Sequence, residues 1–289
     1  MESCARPWKG RRRALATLAL LPFAGAIGAE SAAPVRIGLT PVFLDDQAGF
    51  LRQWKAYLER QLHRPVAFVQ RGSYREVYEL LGLGHIDFAW LCGYPYVRLG
   101  ERVKLLAVPV FQGKPLYRSY LIVPASDART RSLLDLRGRV FAYSDPDSNS
   151  GYLFPRYFLI RNGENPDTFF LRTFFTWAHR KVVEAVASGL AHGGAVDSYV
   201  WETLAQIHPE LTAKTRVAAR SPEFGHPPFV ARSGASPRDF AALQAALTGM
   251  DDDPEGQALL RRLNLDGFSV ERPELFDSIA RMWRATQGA

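Results

Sequence analysis

Apolar residues along this chain recur at two spacings, and the switching between them predicts its layout. Val35–Leu39 is a short, nearly continuous apolar run, the pattern of a buried strand. From Ala48 to Leu62 the apolar residues Phe50, Leu51, Trp54, Tyr57, Leu58 and Leu62 fall at helical spacing and predict one amphipathic helix. Val66–Gln70 predicts a second strand, and Tyr74–Leu83 a second helix with Val77, Leu80 and Leu81 as its inner stripe. Ile86–Leu91 predicts a third strand. A β-α-β-α-β rhythm of this kind argues for a largely parallel sheet covered by helices on both faces.

The rhythm breaks once and then resumes. Tyr120–Val123 predicts a strand ending at Pro124, and Leu133–Leu136 with Arg137 and Gly138 a single helical turn before the strand Val140–Tyr143. A loop rich in Ser, Asp, Asn and Gly leads into a helix through Tyr157 and Leu159. Phe169–Phe175 predicts a strand, Lys181–Leu190 a helix, and Ala195 and Val196 open a last short strand. Pro237–Gln287 is mostly helical by pattern and is expected to pack on the first lobe, with apolar faces at Phe240, Leu243 and Leu247 and at Leu259, Leu260 and Leu263. Two β/α units in one chain fit an α/β fold of two lobes about a central cleft. No repeat or Gly/Ser-rich linker separates them, so strands are expected to cross between the lobes. The change of rhythm places one lobe at residues 34–117 plus 226–289 and the other at 118–225.

The N-terminus alters the reading of charge. Arg11, Arg12 and Arg13 precede an apolar run from Ala14 to Ile27, closed by the small residues Gly28 and Ala29. That is the layout of a secretory signal peptide over residues 1–29, and its apolar run is shorter than the roughly 20 residues of a membrane-spanning helix. The whole chain carries +7, and without this leader 31 basic residues face 28 acidic ones, a net of +3. No basic stripe remains as a nucleic-acid footprint. Cys4 lies in the leader and before the apolar run, so it is no lipobox cysteine, and Cys92 is left alone, without a partner for an intramolecular disulfide. The expected product is a soluble, monomeric periplasmic protein.

One segment stands out for its chemistry. Asp145-Pro-Asp-Ser-Asn-Ser-Gly-Tyr-Leu-Phe-Pro155 follows a strand and opens a helix. Ser148, Asn149 and Ser150 add hydroxyl and amide donors to backbone N–H groups that lack intrahelical partners. Gly151 allows close backbone approach, so the segment can cradle a tetrahedral anion. The plainer alternative is that Ser148 or Ser150 only caps the helix.

This block, with Asp87-Phe-Ala-Trp90, the stretch from Ala178-His179 to Asp197, and Pro254-Glu-Gly-Gln-Ala-Leu-Leu260 with Leu263, resembles the periplasmic phosphonate/phosphite-binding family. Members are solute-binding components of ABC importers, and the resemblance runs over nearly the whole chain beyond the leader. It implies a type II periplasmic-binding fold, a hinge, no catalysis and no cofactor. It also implies ligand contacts at Ser148, Asn149 (where threonine is usual) and Ser150, at Tyr74, at Tyr117 and at His179. Tyr199 and His226 stand where aminophosphonate-binding members place carboxylates, with Asp197 close by. A buried ammonium without a counter-charge costs several kcal/mol, so the expected ligand is a compact oxyanion with no cationic tail: phosphite, phosphonate or phosphate. Both Tyr199 and His226 are expected to be able to donate to it, and if His226 faces the ligand, lowering the pH toward 6 is expected not to weaken anion binding, since a protonated imidazole adds attraction.

Three other readings compete. Cys92, in Trp90-Leu-Cys-Gly-Tyr-Pro-Tyr96, lies just past a strand end, where α/β sheets bind ligands. A thiol there suits a soft ligand, which would fit an arsenite or oxyanion sensor acting on the periplasmic domain of a histidine kinase instead of a permease; most free cysteines, however, are simply buried. Ser150, His179 and Asp197 come in an order open to a hydrolase triad, but there is no G-x-S-x-G elbow. No His/Cys cluster offers a metal site. A structural or adhesion module fits poorly with the deep α/β alternation and the lack of repeats.

Overall fold

The computed structural model describes residues 1–2, 33–41 and 48–287. The segment expected to be a signal peptide, residues 1–29, lies outside the described residues apart from its first two. Ala32–Ala289 form one compact unit. Its strands are β1 (Val35–Leu39), β2 (Val66–Gln70), β3 (Phe88–Trp90), β4 (Val103–Val110), β5 (Leu116–Pro124), β6 (Val140–Tyr143), β7 (Arg172–Phe175), β8 (Gly193–Asp197), β9 (Thr215–Gly225), β10 (Phe229–Arg232) and β11 (Gly267–Ser269). The helices are α1 (Ala48–Leu62), α2 (Tyr74–Gly82), α3 (Gly93–Leu99), α4 (Phe154–Arg161), α5 (His179–Ala187), α6 (Ser198–Ile207), α7 (Pro209–Thr212), α8 (Pro237–Thr248), α9 (Pro254–Leu263) and α10 (Asp277–Thr286). None of the described helices is long and apolar enough to cross a membrane.

The strands form two sheets, one ordered β11-β4-β10-β3-β1-β2 and the other β7-β6-β8-β5-β9. The expectation of a largely parallel sheet holds for only part of each. β1 runs parallel to β2 and β3, and β6 parallel to β7 and β8. β10, β4 and β11 pair antiparallel, as do β5 with β8 and β9. The reason is connectivity: a parallel neighbour needs a helical crossover, whereas strands that pass between sheets and return run the opposite way. The chain passes from β4 to β5 through Phe111–Pro115 and back from β9 to β10 through His226-Pro227-Pro228. These two passages touch, since the His226 amide donates to the Pro115 carbonyl at 2.9 Å.

Local sequence accounts for the elements. The predicted stripe on α1 is the buried one: Phe50, Trp54, Tyr57, Leu58 and Leu62 all face inward. Trp54 sits at the centre of an aromatic cluster, its ring 5.6 Å from Phe50, 5.2 Å from Phe68, 5.9 Å from Trp90 and 6.0 Å from Phe229. Ser73 caps α2 by accepting from the Glu76 amide. The run Phe169–Phe175 forms a strand only from Arg172. Phe169 and Phe170 instead fill the core as a turn, packed against each other and against Phe141, because a continuous apolar run marks burial without fixing backbone conformation. The C-terminal helices divide. α8 and α9 pack on α1, while α10 lies against both α3 and α4, with Phe276, Ile279 and Met282 sharing a cluster with Tyr94, Tyr117 and Leu153. The segment expected to pack on the first lobe thus also touches helices of the second sheet.

Trp54→Ala removes the hub of the aromatic cluster. It is expected to cost about 3–5 kcal/mol, read as a lowered urea midpoint at unchanged slope. A loss below about 1 kcal/mol would mean that the cluster closes over the gap.

Candidate functional site

Strand β6 ends at Tyr143, and the chain then turns through Asp145–Ser148 into one wide π-helical turn, Asn149–Leu153, that continues as α4. The wide turn is closed by the Leu153 amide donating to the Ser148 carbonyl at 3.0 Å, a geometry frequent at functional sites. Gly151 is required here. A Cβ on it would lie 1.8 Å from Ser144 Oγ and 3.1 Å from His179 Cε1. Ser144, Asp145, Asp147, Ser148, Asn149 and Ser150 are all buried, which is unusual for so polar a run and calls for partners.

Some of those partners come from the other sheet. Asp145 accepts from the Tyr74 amide at 3.1 Å and from the Asp147 amide at 2.7 Å. Asp147 meets the Tyr78 hydroxyl at 3.1 Å and the guanidinium groups of Arg98 and, at 3.7 Å, Arg75. The Asn149 amide donates to Cys92 Sγ at 3.2 Å, and Asn149 Nδ2 to the Tyr117 hydroxyl at 2.9 Å. One seven-residue stretch therefore carries much of the polar contact between the two sheets.

The histidine fixes the direction of the remaining bonds. His179 Nδ1 accepts from the Asp197 backbone amide at 3.1 Å, so in the neutral ring Nε2 bears the hydrogen. Nε2 lies 3.4 Å from Ser148 Oγ and donates to it. Ser148 Oγ also accepts from the Gly151 amide at 3.0 Å. Both of its acceptor positions are thus used, and its own O–H is left to donate elsewhere. Capping and ligand binding are not alternatives at Ser148, because the cap occupies the lone pairs and leaves the hydrogen. The triad reading fails on the same geometry. His179 faces Ser148 rather than Ser150, meets the backbone of Asp197 rather than its carboxylate, and has no free ring nitrogen to act as a base. Burial pushes its pKa down to about 3.

Several buried polar atoms in this region meet no hydrogen-bond partner: Tyr74 Oη, Ser150 Oγ, Asn149 Oδ1 and one ring nitrogen of His226, whose other nitrogen is set toward the Pro227 carbonyl. His226 packs against Tyr117 at 5.7 Å and Tyr199 at 5.1 Å between ring centroids. Two expectations for this corner change. The Tyr199 hydroxyl donates to the Leu263 carbonyl, so its hydrogen is already committed and only its ring meets His226. Burial pushes the His226 pKa down to about 3, so the ring stays neutral at pH 6 and brings no positive charge there. Asp197 caps α6 by accepting from the Tyr199 amide at 2.8 Å, and burial lifts its carboxyl to about 7 despite that bond. Burial likewise lifts the Cys92 thiol to about 11, so it stands beside Asn149 as a neutral thiol. Tyr74 and Tyr117, both buried, titrate well above the usual tyrosine range for the same reason. Among the described residues there is no group of His, Cys, Asp and Glu suited to a metal ion.

All ten residues singled out from the sequence are buried here or at its edge. Sequence reasoning missed Asp145, Asp147, Tyr78 and Arg98, which seat the segment across the sheets. The adjacent acids in Asp145-Pro-Asp147 were the available signal, read there only as loop composition.

The family described as the periplasmic substrate-binding protein of phosphonate ABC transporters matches residues 37–274, and the chain belongs to it. The chain is 31% identical over 159 residues to the phosphate-import protein PhnD of Mycolicibacterium smegmatis, covering 51% of this chain and 50% of that one. It thus spans about half the length of that relative. Its fold matches a binding-protein component of an ABC phosphonate transporter from Pseudomonas aeruginosa, with a TM-score of 0.81 at 22% identity, over 88% of this chain and 87% of that one. It also matches PhnD1 of Prochlorococcus marinus, solved with methylphosphonate, with a TM-score of 0.78 at 20% identity, over 88% and 98% of the two chains.

The shifted groups leave opposite marks on stability. A carboxyl raised from 3.8 to about 7 favours the fold at low pH and loses that contribution as pH rises through 7. Asp197→Asn keeps the cap and never charges. It is therefore expected to gain thermal stability relative to the wild type as pH rises from 4 to 7, with the gap constant above 7. The two imidazoles lowered from 6.5 to about 3 work the other way, favouring the fold above 6.5 and losing that contribution as pH falls toward 3. His226→Gln should flatten the acid limb of the same melting-temperature profile. Parallel profiles for all three proteins would contradict both assignments.

Proposed function

We propose that this member of the phosphonate-binding family captures a compact tetrahedral phosphorus oxyanion (phosphite, methylphosphonate or phosphate) in the periplasm. It would deliver the ligand to an ABC permease, with no chemical step of its own. The observation that carries the reading is the set of buried hydroxyl donors in this cluster: those of Tyr74 and Ser150, which meet no hydrogen-bond partner, and the Ser148 O–H left over by its cap. Water-excluded donors are what an oxyanion needs, and each hydrogen bond to a charged ligand is worth roughly 1.5–3 kcal/mol. Tyr117 and Asn149 would line the site with Cys92, and His179 would orient Ser148. Asp197, Tyr199 and His226 would close the end where a longer substituent projects.

The lobes would be residues 34–117 with 226–289, and residues 118–225, hinged where the His226 amide meets Pro115. Asp145 and Asp147 would hold the closed form by bridging to Tyr74, Tyr78 and Arg98. Closure by hinge motion around a ligand is a common transition for such proteins. A thiol-based sensing role has less support. Cys92 is the one cysteine beyond the leader, burial keeps it protonated, and a soft ligand prefers thiolates.

Two calorimetric measurements test the reading. Replacing Ser148 and Ser150 together with alanine is expected to weaken methylphosphonate binding by at least about 2 kcal/mol, two charge-assisted bonds, while capping losses of only about 1 kcal/mol each leave the fold intact. Unchanged affinity would reduce the loop to a cap. In competition at fixed salt, aminoethylphosphonate should bind at least about tenfold, or 1.4 kcal/mol, more weakly than methylphosphonate, since Tyr199 and His226 offer no counter-charge to its ammonium. Equal or tighter binding would overturn this selectivity and point to Asp197 as the partner of the amine.

A further inference from the structure

The donors above explain why an oxyanion would bind, but they do not set its charge, and the rest of the cluster bears on that. Among the described residues no lysine or arginine is buried. Arg98 and Arg75 reach the Asp145–Gly151 segment, and both are directed at Asp147. Both imidazoles are neutral: His179 is pinned by the Asp197 amide, and His226, packed against the Tyr117 and Tyr199 rings, is held neutral by burial. Two carboxylates, Asp145 and Asp197, are buried at the margins of the cluster, and the hydrogen bonds they accept come from backbone amides rather than cations. A second negative charge on the ligand would find no positive side chain to meet it.

The unpartnered atoms also include acceptors. Asn149 turns its Nδ2 to Tyr117 and leaves Oδ1 buried and unpaired. A neutral His226 carries one N–H, set toward the Pro227 carbonyl, and one bare nitrogen that is unpaired. A fully deprotonated oxyanion can only accept, so it would leave these acceptors unsatisfied. An oxyanion with one P–OH can donate to one of them. Turning the Asn149 amide over would exchange its ends, yet the bare nitrogen of His226 would remain.

We propose that the site takes its oxyanion in the singly charged form, which bears at least one O–H (one on a phosphonate or phosphite, two on phosphate), and that one such hydrogen is donated to His226 or Asn149. The inference rests on the oxyanion reading above and specifies its substrate. A ligand that is doubly charged in solution must then take one proton from bulk water on binding, and the bound species carries a single negative charge. The groups around Asp197 do not supply this proton dependence. Tyr199 on its own helix, Tyr74 on α2, Tyr117 on β5 and Cys92 before α3 all have raised pKa values through burial. Glu202 is engaged by Tyr120 and Gln112, and His179 is neutral. Asp197 itself titrates near 7, so it is the one group whose own protonation could imitate the effect.

The test uses the mature protein and two probes of like shape, methylphosphonate, which can carry an O–H, and methanesulfonate, which is singly charged without one. Titrating each in two buffers of different ionisation enthalpy gives the protons taken up. With methylphosphonate, uptake of about one proton is expected at pH 8.5 and close to none at pH 5.5, with affinity falling about tenfold per pH unit in the alkaline range. Asp197→Asn should keep that uptake. At pH 5.5 methanesulfonate should bind at least about tenfold more weakly than methylphosphonate. Binding of methylphosphonate at pH 8.5 without uptake, uptake abolished by Asp197→Asn, or methanesulfonate binding as tightly at pH 5.5 would each overturn this inference while leaving the oxyanion site in place. Failure of both probes to bind at either pH would overturn the site reading and the inference with it.

Discussion

The hydrogen bond from the Asp197 amide to His179 Nδ1 sets the polarity of the site. It decides which ring nitrogen carries the hydrogen, and so which way Ser148 points its own. A buried imidazole with a choice of tautomers would leave Ser148 free to be donor or acceptor. Pinned from behind by a backbone amide, it can only donate, and the serine hydrogen is passed forward. The same bond needs β8 to end beside the start of α5, which follows from the parallel β6–β8 pairing and the placement of α5 against β8. Sheet topology thus reaches the site through one N–H.

Asp145–Gly151 joins two roles in one short stretch. Its acids reach across to α2 and α3, and its hydroxyls face inward to the cluster around Tyr117. Gly151 packs on Ser144 and His179 with no room for a side chain. Moving the acids moves the hydroxyls, so the contacts that bring the sheets together and the donors that would meet a ligand are coupled through covalent geometry. Burying so many polar atoms is costly unless each finds a partner. Those without one mark where a ligand's oxygens would repay that cost.

Much of the fold was legible. The stripes on α1 and α2, the strands β1, β2 and β6, and the strand-to-helix segment at Asp145 follow from periodicity and capping chemistry. The antiparallel pairing of β4, β9 and β10 was not, because residues such as Arg216, Arg220 and Glu223 break the apolar pattern of β9 and its partner β5 is about a hundred residues away in the chain. Phe169 and Phe170 looked like a strand because their burial was visible and their backbone was not. At the site, residue types were readable and bond directions were not. Nothing in the sequence tells that the Tyr199 hydroxyl is spent on Leu263, or that His226 is buried deeply enough to stay neutral. Both depend on atoms brought together from distant parts of the chain.

The most direct measurement is a crystal structure of the mature protein grown with methylphosphonate. The expected result is a phosphonate enclosed between the sheets, its oxygens within hydrogen-bonding distance of Tyr74 Oη, Ser148 Oγ and Ser150 Oγ and one of them beside His226. A ligand bound elsewhere, or those three hydroxyls bonded only to protein or water in an otherwise closed and saturated protein, would contradict it.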